Sequence, residues 1–205
     1  MKTTYSKADL LVIGGGIAGC MAAIRGRELG LQVVLWDKVN PRRSGGATTG
    51  IDHCWAYIPE IHASLMTPDQ MLSDHLEAAG GFGKPELVKT IIDESFARVR
   101  DLERFGVPMR DERGEFRLIK KIHRVPSFIH FAGRDLKVRL STQTHRQHVH
   151  VEKRVMGLEL LTEQGRVVGA VGVSTREPVV HVCSARAVLL STGMSLWLWR
   201  LFWWV

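Results

Sequence analysis

Cysteine is scarce in this sequence. Cys20, Cys54 and Cys183 are the three among 205 residues, odd in number and far apart. Without a CxxC spacing they give neither a disulfide framework nor a thiolate metal centre, and a reducing compartment, the cytoplasm, is expected. No run approaches the roughly 18 apolar residues that cross a bilayer, so no transmembrane segment is expected. Residues 1–10 lack the apolar stretch of a secretory leader. Internal repeats and low-complexity linkers are also missing. What remains is ordinary for a folded chain of one domain: 45% hydrophobic and 24% charged residues. The net charge of +7 is spread along the chain. With no nucleic-acid motif beside it, it reads as a solvated basic surface, a few of whose cations serve an anionic ligand; no nucleic acid is expected.

The hydrophobic pattern predicts a buried strand over 9–13, a helix over 17–29 stopped by Gly30, and a second strand over 32–36. Strand, helix and strand within about 30 residues make a βαβ unit with parallel strands. A glycine-, serine- and arginine-rich loop follows at 40–50. Thr67, as N-cap, and Pro68 open a helix to about 79, and Pro85 opens another to about 105. In the latter, Leu87, Val88, Ile91, Ile92, Phe96, Val99 and Leu102 recur at helical spacing. A hairpin is expected around Asp111–Gly114, joining 107–110 to 116–119. Then come a helix over 134–148, a strand at 149–151, a hairpin of 158–162 with 166–174 that 179–183 extends, and a separate apolar run at 187–190. The fold class is α/β: a Rossmann-like dinucleotide-binding domain with a central parallel sheet, an inserted helical segment and a β-hairpin or meander.

Gly14-Gly15-Gly16-Ile17-Ala18-Gly19 fits GxGxxG at the junction of strand and helix. In this pattern the first glycine permits the tight turn, the second lets the backbone approach a pyrophosphate, and the third allows close helix–strand contact. The helix N-terminus then offers unpaired N–H groups and a favourable dipole to phosphate. Asp37 closes the second strand 18 residues beyond Gly19, where an acid accepts hydrogen bonds from a ribose 2′-OH and disfavours a 2′-phosphate. A dinucleotide is therefore expected, and these residues alone leave NAD and FAD both open. The departure from strand–helix alternation after Asp37 leans toward FAD.

Taken together, Gly14–Gly19, Asp37-Lys38, Arg43-Ser44-Gly45-Gly46 and Ser191-Thr192-Gly193 resemble the FAD-binding domain of fumarate reductase and succinate dehydrogenase flavoproteins, most closely their adenylylsulfate-reductase-like branch. The resemblance covers residues 8–193. It implies an FAD-dependent oxidoreductase that moves hydride or electrons between FAD and a small anionic substrate, partnered by an iron–sulfur electron-transfer subunit. It places Gly14, Gly15, Gly16, Ile17, Ala18 and Gly19 at the pyrophosphate and Asp37 at the adenosine ribose. It sets Lys38, Arg43 and Ser44 along the phosphate and ribityl region, Gly45 and Gly46 by the isoalloxazine, Val155 at adenine through its backbone, and counts Thr192-Gly193 among the cofactor-binding residues. Membrane-type members carry, after Arg-Ser, a histidine that bonds covalently to the flavin; this chain has Gly45 there, so the FAD is expected to be non-covalent.

Other candidates are weaker in pattern. His53, in Asp52-His53-Cys54-Trp55, is a candidate proton donor or substrate contact, or else a polar loop residue. Cys54 reads as a small packed residue rather than a redox thiol. Lys120-Lys121 with His123-Arg124 is either surface charge or a patch for an anionic substrate or partner. His145, His148 and His150 cross from helix into strand, so their side chains diverge and no metal is expected.

The family is longer than this chain, and its capping domain supplies the substrate arginines and proton donor; the expectation is a cofactor domain at 1–193, oxidoreductase in kind or else a truncated, non-catalytic fragment. Four of the six tryptophans fall in the last nine residues. Residues 194–205 accordingly read as a frameshift product, with an apolar terminus packed on the sheet as the alternative. An NAD-dependent dehydrogenase is the third functional reading. The glycine at position 45 supplies a direct test: acid precipitation of flavin-loaded protein is expected to leave the flavin in the supernatant, and a yellow pellet would contradict this.

Overall fold

In a computed structural model, which describes residues 2–193, the first apolar run is the end of a longer strand, β1 (Lys2–Ile13). It is followed by α1 (Ile17–Glu28) and β2 (Val33–Asp37). Then come β3 (His53–Trp55), α2 (Pro59–His62), α3 (Pro68–Ala78), α4 (Pro85–Arg104), β4 (Arg117–Ile119) and β5 (Phe128–His130). The chain continues through α5 (Leu136–Arg146), β6 (His150–Lys153), β7 (Val155–Glu163), β8 (Arg166–Ser174) and β9 (Val179–Leu190). Two compact units result: the residues up to Thr49 with those from Lys137 on, and the inserted segment Gly50–Leu136. The tryptophan-rich tail at 194–205 lies outside the described residues.

The first unit is a six-stranded sheet in the order β6-β2-β1-β9-β8-β7. Strands β6, β2, β1 and β9 run parallel, and β8 and β7 continue antiparallel, as the expected meander. Alternation along the strands sorts the core into two faces. Leu11, Ile13, Val34 and Trp36 share one with Val155 and Ala170 from the meander. Val12, Val33 and Leu35 share the other with Ala23 of α1. This double burial explains why 10–13 and 33–36 read as unbroken apolar runs. Gly30, at φ +81°, ends α1 by donating its N–H to Arg27 O.

Two strands depart from the sequence pattern. Strand β1 begins at Lys2 rather than at Asp9, because residues 2–7 pair with 179–184 of β9 while their side chains stay largely exposed. The runs 179–183 and 187–190 form one continuous strand, the polar Ser184 being exposed between buried Cys183 and Ala185, and Arg186 exposed beyond them.

In the inserted unit, α3 opens with a complete capping box: Thr67 Oγ1 accepts from the Gln70 N–H and Gln70 Oε1 accepts from the Thr67 N–H. Helix α4 buries Val88, Ile92 and Val99, but Leu87 and Ile91 of the expected apolar stripe are exposed. The expected 107–110/116–119 hairpin does not form. Asp111 Oδ1 accepts the N–H groups of Arg113 and Glu115, making a local turn without a ladder. Val107 and Met109 are buried as irregular chain, and β4 pairs instead with β5, which also pairs with β3.

Leu35 is fully buried at the centre of the parallel sheet. Leu35→Ala is expected to lower stability in urea unfolding by about 2–5 kcal/mol, whereas the exposed Leu65→Ala should stay within about 0.5 kcal/mol.

Candidate functional site

Strands β1, β2 and β9 end together, with Ile13 opposite both Trp36 and Leu190. The segments that leave them therefore meet at the carboxyl edge of the parallel sheet, where α/β folds bind ligands. Gly14 turns there at φ +106°, and a Cβ on it would lie 2.3 Å from Ser191 O. Ser191 Oγ closes the junction by donating to Gly14 O at 2.7 Å and Ile13 O at 3.1 Å. A Cβ on Gly19 would lie 1.8 Å from Gly14 O, so only glycine fits at that helix–strand contact.

Gly15 is held from two sides. Its N–H donates to Asp37 Oδ2 at 2.7 Å. Its carbonyl accepts from Lys137 Nζ at 2.7 Å and from the Cys20 thiol at 3.4 Å. Asp37 is 3% exposed, and its other oxygen accepts from the Val39 N–H and, at 2.5 Å, from Ser44 Oγ. One carboxylate thus fastens the glycine loop to the loop at 38–46. Burial pushes the Cys20 thiol up from its ordinary value despite the nearby Lys137 charge, so it stays protonated.

Gly16 differs from its neighbours. It caps α1 at φ −65°, and a Cβ there would find only Gly45 Cα, 3.9 Å away. Helix α1 has no capping side chain and no acid in its first turn. Its opening N–H groups have no partner within the helix and carry the positive end of the dipole. The arrangement is a cradle for an anion, one that a methyl group at Gly16 would fill.

The remaining expected residues are distributed as follows. Ile17 is half-buried and Ala18 exposed on the first turn of α1; Lys38, Arg43, Gly45 and Gly46 are exposed on the adjoining loop. Gly45 has φ +87° and a Cβ there would meet Gly16 Cα at 3.0 Å, so the two loops touch through glycines. Thr192 and Gly193 are exposed beyond β9. Val155 is buried at the start of β7, with its backbone in register with Ser174. All lie in the sheet unit. Lys137 escaped the sequence pattern because Arg134, Asp135 and Arg139 surround it and nothing marks it off from a surface cation.

In the inserted unit, His53 Nδ1 is 2.5 Å from Asp52 Oδ1 and its Nε2 is 2.7 Å from Lys121 Nζ. An ammonium only donates and a carboxylate only accepts, so Nδ1 carries the hydrogen and Nε2 accepts. Asp52 is held below the usual carboxylate range by that contact. Burial pushes Cys54 up to about 11, so it is no thiolate near neutrality. The basic cluster is not a patch of four. Arg124 is tied to Asp74 and Glu77, and His123 is buried, stacked on Phe128 and hydrogen-bonded to His75 and Ser127. Burial, and then His75, push His123 below its ordinary value. His150 pairs with Glu152 at 3.2 Å. No helix among the described residues is long and apolar enough to cross a membrane.

The FAD binding domain family matches residues 9–195. The matching subunit of the CoM/CoB fumarate reductase of Methanothermobacter marburgensis is 30% identical over 94% of this chain and 36% of its own length. L-aspartate oxidase of Halobacterium salinarum is 29% identical over 82% of this chain and 33% of its own. Among solved structures, an adenosine-5-phosphosulfate reductase in complex with sulfite superposes with a TM-score of 0.81 at 28% identity, covering 94% of this chain and 31% of that one. The chain thus spans about a third of the length of these relatives.

The two glycines predict opposite phenotypes. Gly16→Ala is expected to leave the ligand-free melting temperature unchanged while weakening dinucleotide binding at least about tenfold by titration. Gly19→Ala should lower the melting temperature itself, by about 4–8 °C or more.

Proposed function

The chain belongs to the FAD binding domain family, and from that premise we propose that it serves a flavoprotein oxidoreductase that moves hydride or electrons between non-covalent FAD and a small anionic molecule. The family settles the choice between NAD and FAD that the glycine loop leaves open. The observation that carries the reading is the cradle at the head of α1: open space over Gly16, uncapped helix N–H groups, and a loop pinned by Asp37. Those residues fit a diphosphate. When bound, FAD supplies two-electron chemistry at its ring, while the protein positions it and tunes its surroundings.

The chain's own residues divide the work. Gly16, Ile17 and Ala18 present N–H groups to the diphosphate. Asp37 sets the loop geometry and stands at the strand end where the ribose is expected. Lys38 and Arg43 add positive charge along the exposed loop, and Gly45 with Gly46 keeps side chains away from the ring. Gly45 also supplies no imidazole for a covalent link, which supports non-covalent attachment. Val155, at adenine, and Thr192-Gly193, beyond β9, complete the set. For proton handling the inserted unit offers His53, whose ring joins Asp52 to Lys121.

An anionic substrate is supported by the relatives, named for fumarate and aspartate, and by the excess of Lys and Arg over Asp and Glu, 28 to 21. An iron–sulfur subunit is the partner that fits the fumarate reductase likeness, and the cytoplasm the compartment that fits the reduced cysteines. The test is purification of the 205-residue chain with FAD and gel filtration: yellow protein with FAD retained at a defined stoichiometry is expected. A colourless chain with no measurable FAD affinity would overturn the proposal.

A further inference from the structure

Lys137 is 3% exposed, on the first turn of α5. A lysine this deeply buried ordinarily contacts a carboxylate, because an unpaired ammonium away from water is costly. Here its Nζ touches the Gly15 carbonyl at 2.7 Å and Cys20 Sγ at 3.5 Å. Among the described residues it forms no ion pair. Asp37 accepts the Gly15 N–H, and its two oxygens are taken up by Gly15, Val39 and Ser44. A carbonyl and a thiol are weak partners for a full charge, and an apolar residue would fill the site at less cost. The charge is set beneath the one peptide that precedes Gly16 and the open N-terminus of α1.

We propose that Lys137 is a positioning residue for FAD: its buried charge holds the Gly15 peptide in place and provides a countercharge that the FAD diphosphate completes. The inference rests on the FAD reading above. It assigns the diphosphate two positive features, the helix N-terminus at Gly16 and the ammonium on the adjoining Gly15 carbonyl. Because the loop and its low-polarity surroundings screen the ammonium less than water would, its attraction persists where a surface lysine's would fade. The ligand-free protein carries the burial cost, and diphosphate binding offsets it.

The experiment uses the full 205-residue chain, wild type, Lys137→Met and Lys137→Gln, with three probes: FAD, ADP and riboflavin. FAD and ADP carry the diphosphate, and riboflavin carries the ring without phosphate. Melting temperatures are read without ligand and dissociation constants by titration. Lys137→Met is expected to weaken FAD and ADP together, at least about tenfold, to leave any riboflavin affinity unchanged, and to keep the ligand-free melting temperature within about 2 °C. Lys137→Gln retains a donor for the Gly15 carbonyl without the charge, so it should lose FAD and ADP affinity similarly. It decides the matter on the same criterion should Lys137→Met not fold. Wild-type affinity in Lys137→Gln overturns the inference, as does a loss confined to variants whose ligand-free melting temperature falls in step. A wild-type chain that binds neither FAD nor ADP fails the FAD reading itself, a distinct result from one in which wild type and variants bind alike.

Discussion

Gly15 donates its N–H to a carboxylate and offers its carbonyl to an ammonium, both bonds lying within the sheet unit. The carboxylate closes β2 and the ammonium stands on α5, so elements a hundred residues apart in sequence are joined across one glycine. A Cβ at Gly15 would sit 2.8 Å from Asp37 Oδ2 and 2.9 Å from Pro41 Cγ, and no side chain can share that space. Charge-assisted hydrogen bonds of this kind are stronger than neutral ones and restrict direction. The loop proposed to accept the ligand is therefore held before any ligand arrives, which reduces the ordering cost of binding.

The rest of the unit follows from where those charges have to stand. Asp37 reaches Gly15 because β2 lies beside β1 in parallel register, and that register is set by residues buried on both faces of the sheet. The meander supplies one cover and α1 the other. Ser191 arrives at the same edge because β9 runs parallel to β1 along its full length. The Asp37–Ser44 contact extends the same control to Gly45, which has to come within contact of Gly16.

Local patterns carried much of this in the sequence. The unbroken apolar runs at 10–13 and 33–36, the glycines between them and Gly30 are short-range signals, and the βαβ unit they announce is present. The Thr67 cap of α3 and the hairpin of β7 with β8 were similarly readable. Other features depend on partners distant in sequence. Residues 2–7 look polar and extend a strand only because β9 lies alongside. Asp111 satisfies the backbone donors of its own turn, and so dissolves a hairpin that composition favoured. Leu87 and Ile91 keep helical spacing yet face outward, since periodicity gives the stripe and packing decides how much of it is covered. Among the site residues, the glycine loop was legible by motif. The second use of Asp37 and the whole contribution of Lys137 were not, because a cation becomes unusual only once its burial is known.

Amide hydrogen exchange at Gly15 in the ligand-free protein, resolved by NMR, tests the preformed loop most directly. Such a loop requires the Gly15 N–H to exchange about as slowly as the core amides of β1, such as Val12. Exchange as fast as that of the exposed turn at Gly114 would show that the Asp37 bond does not hold the loop, and would contradict its preformation.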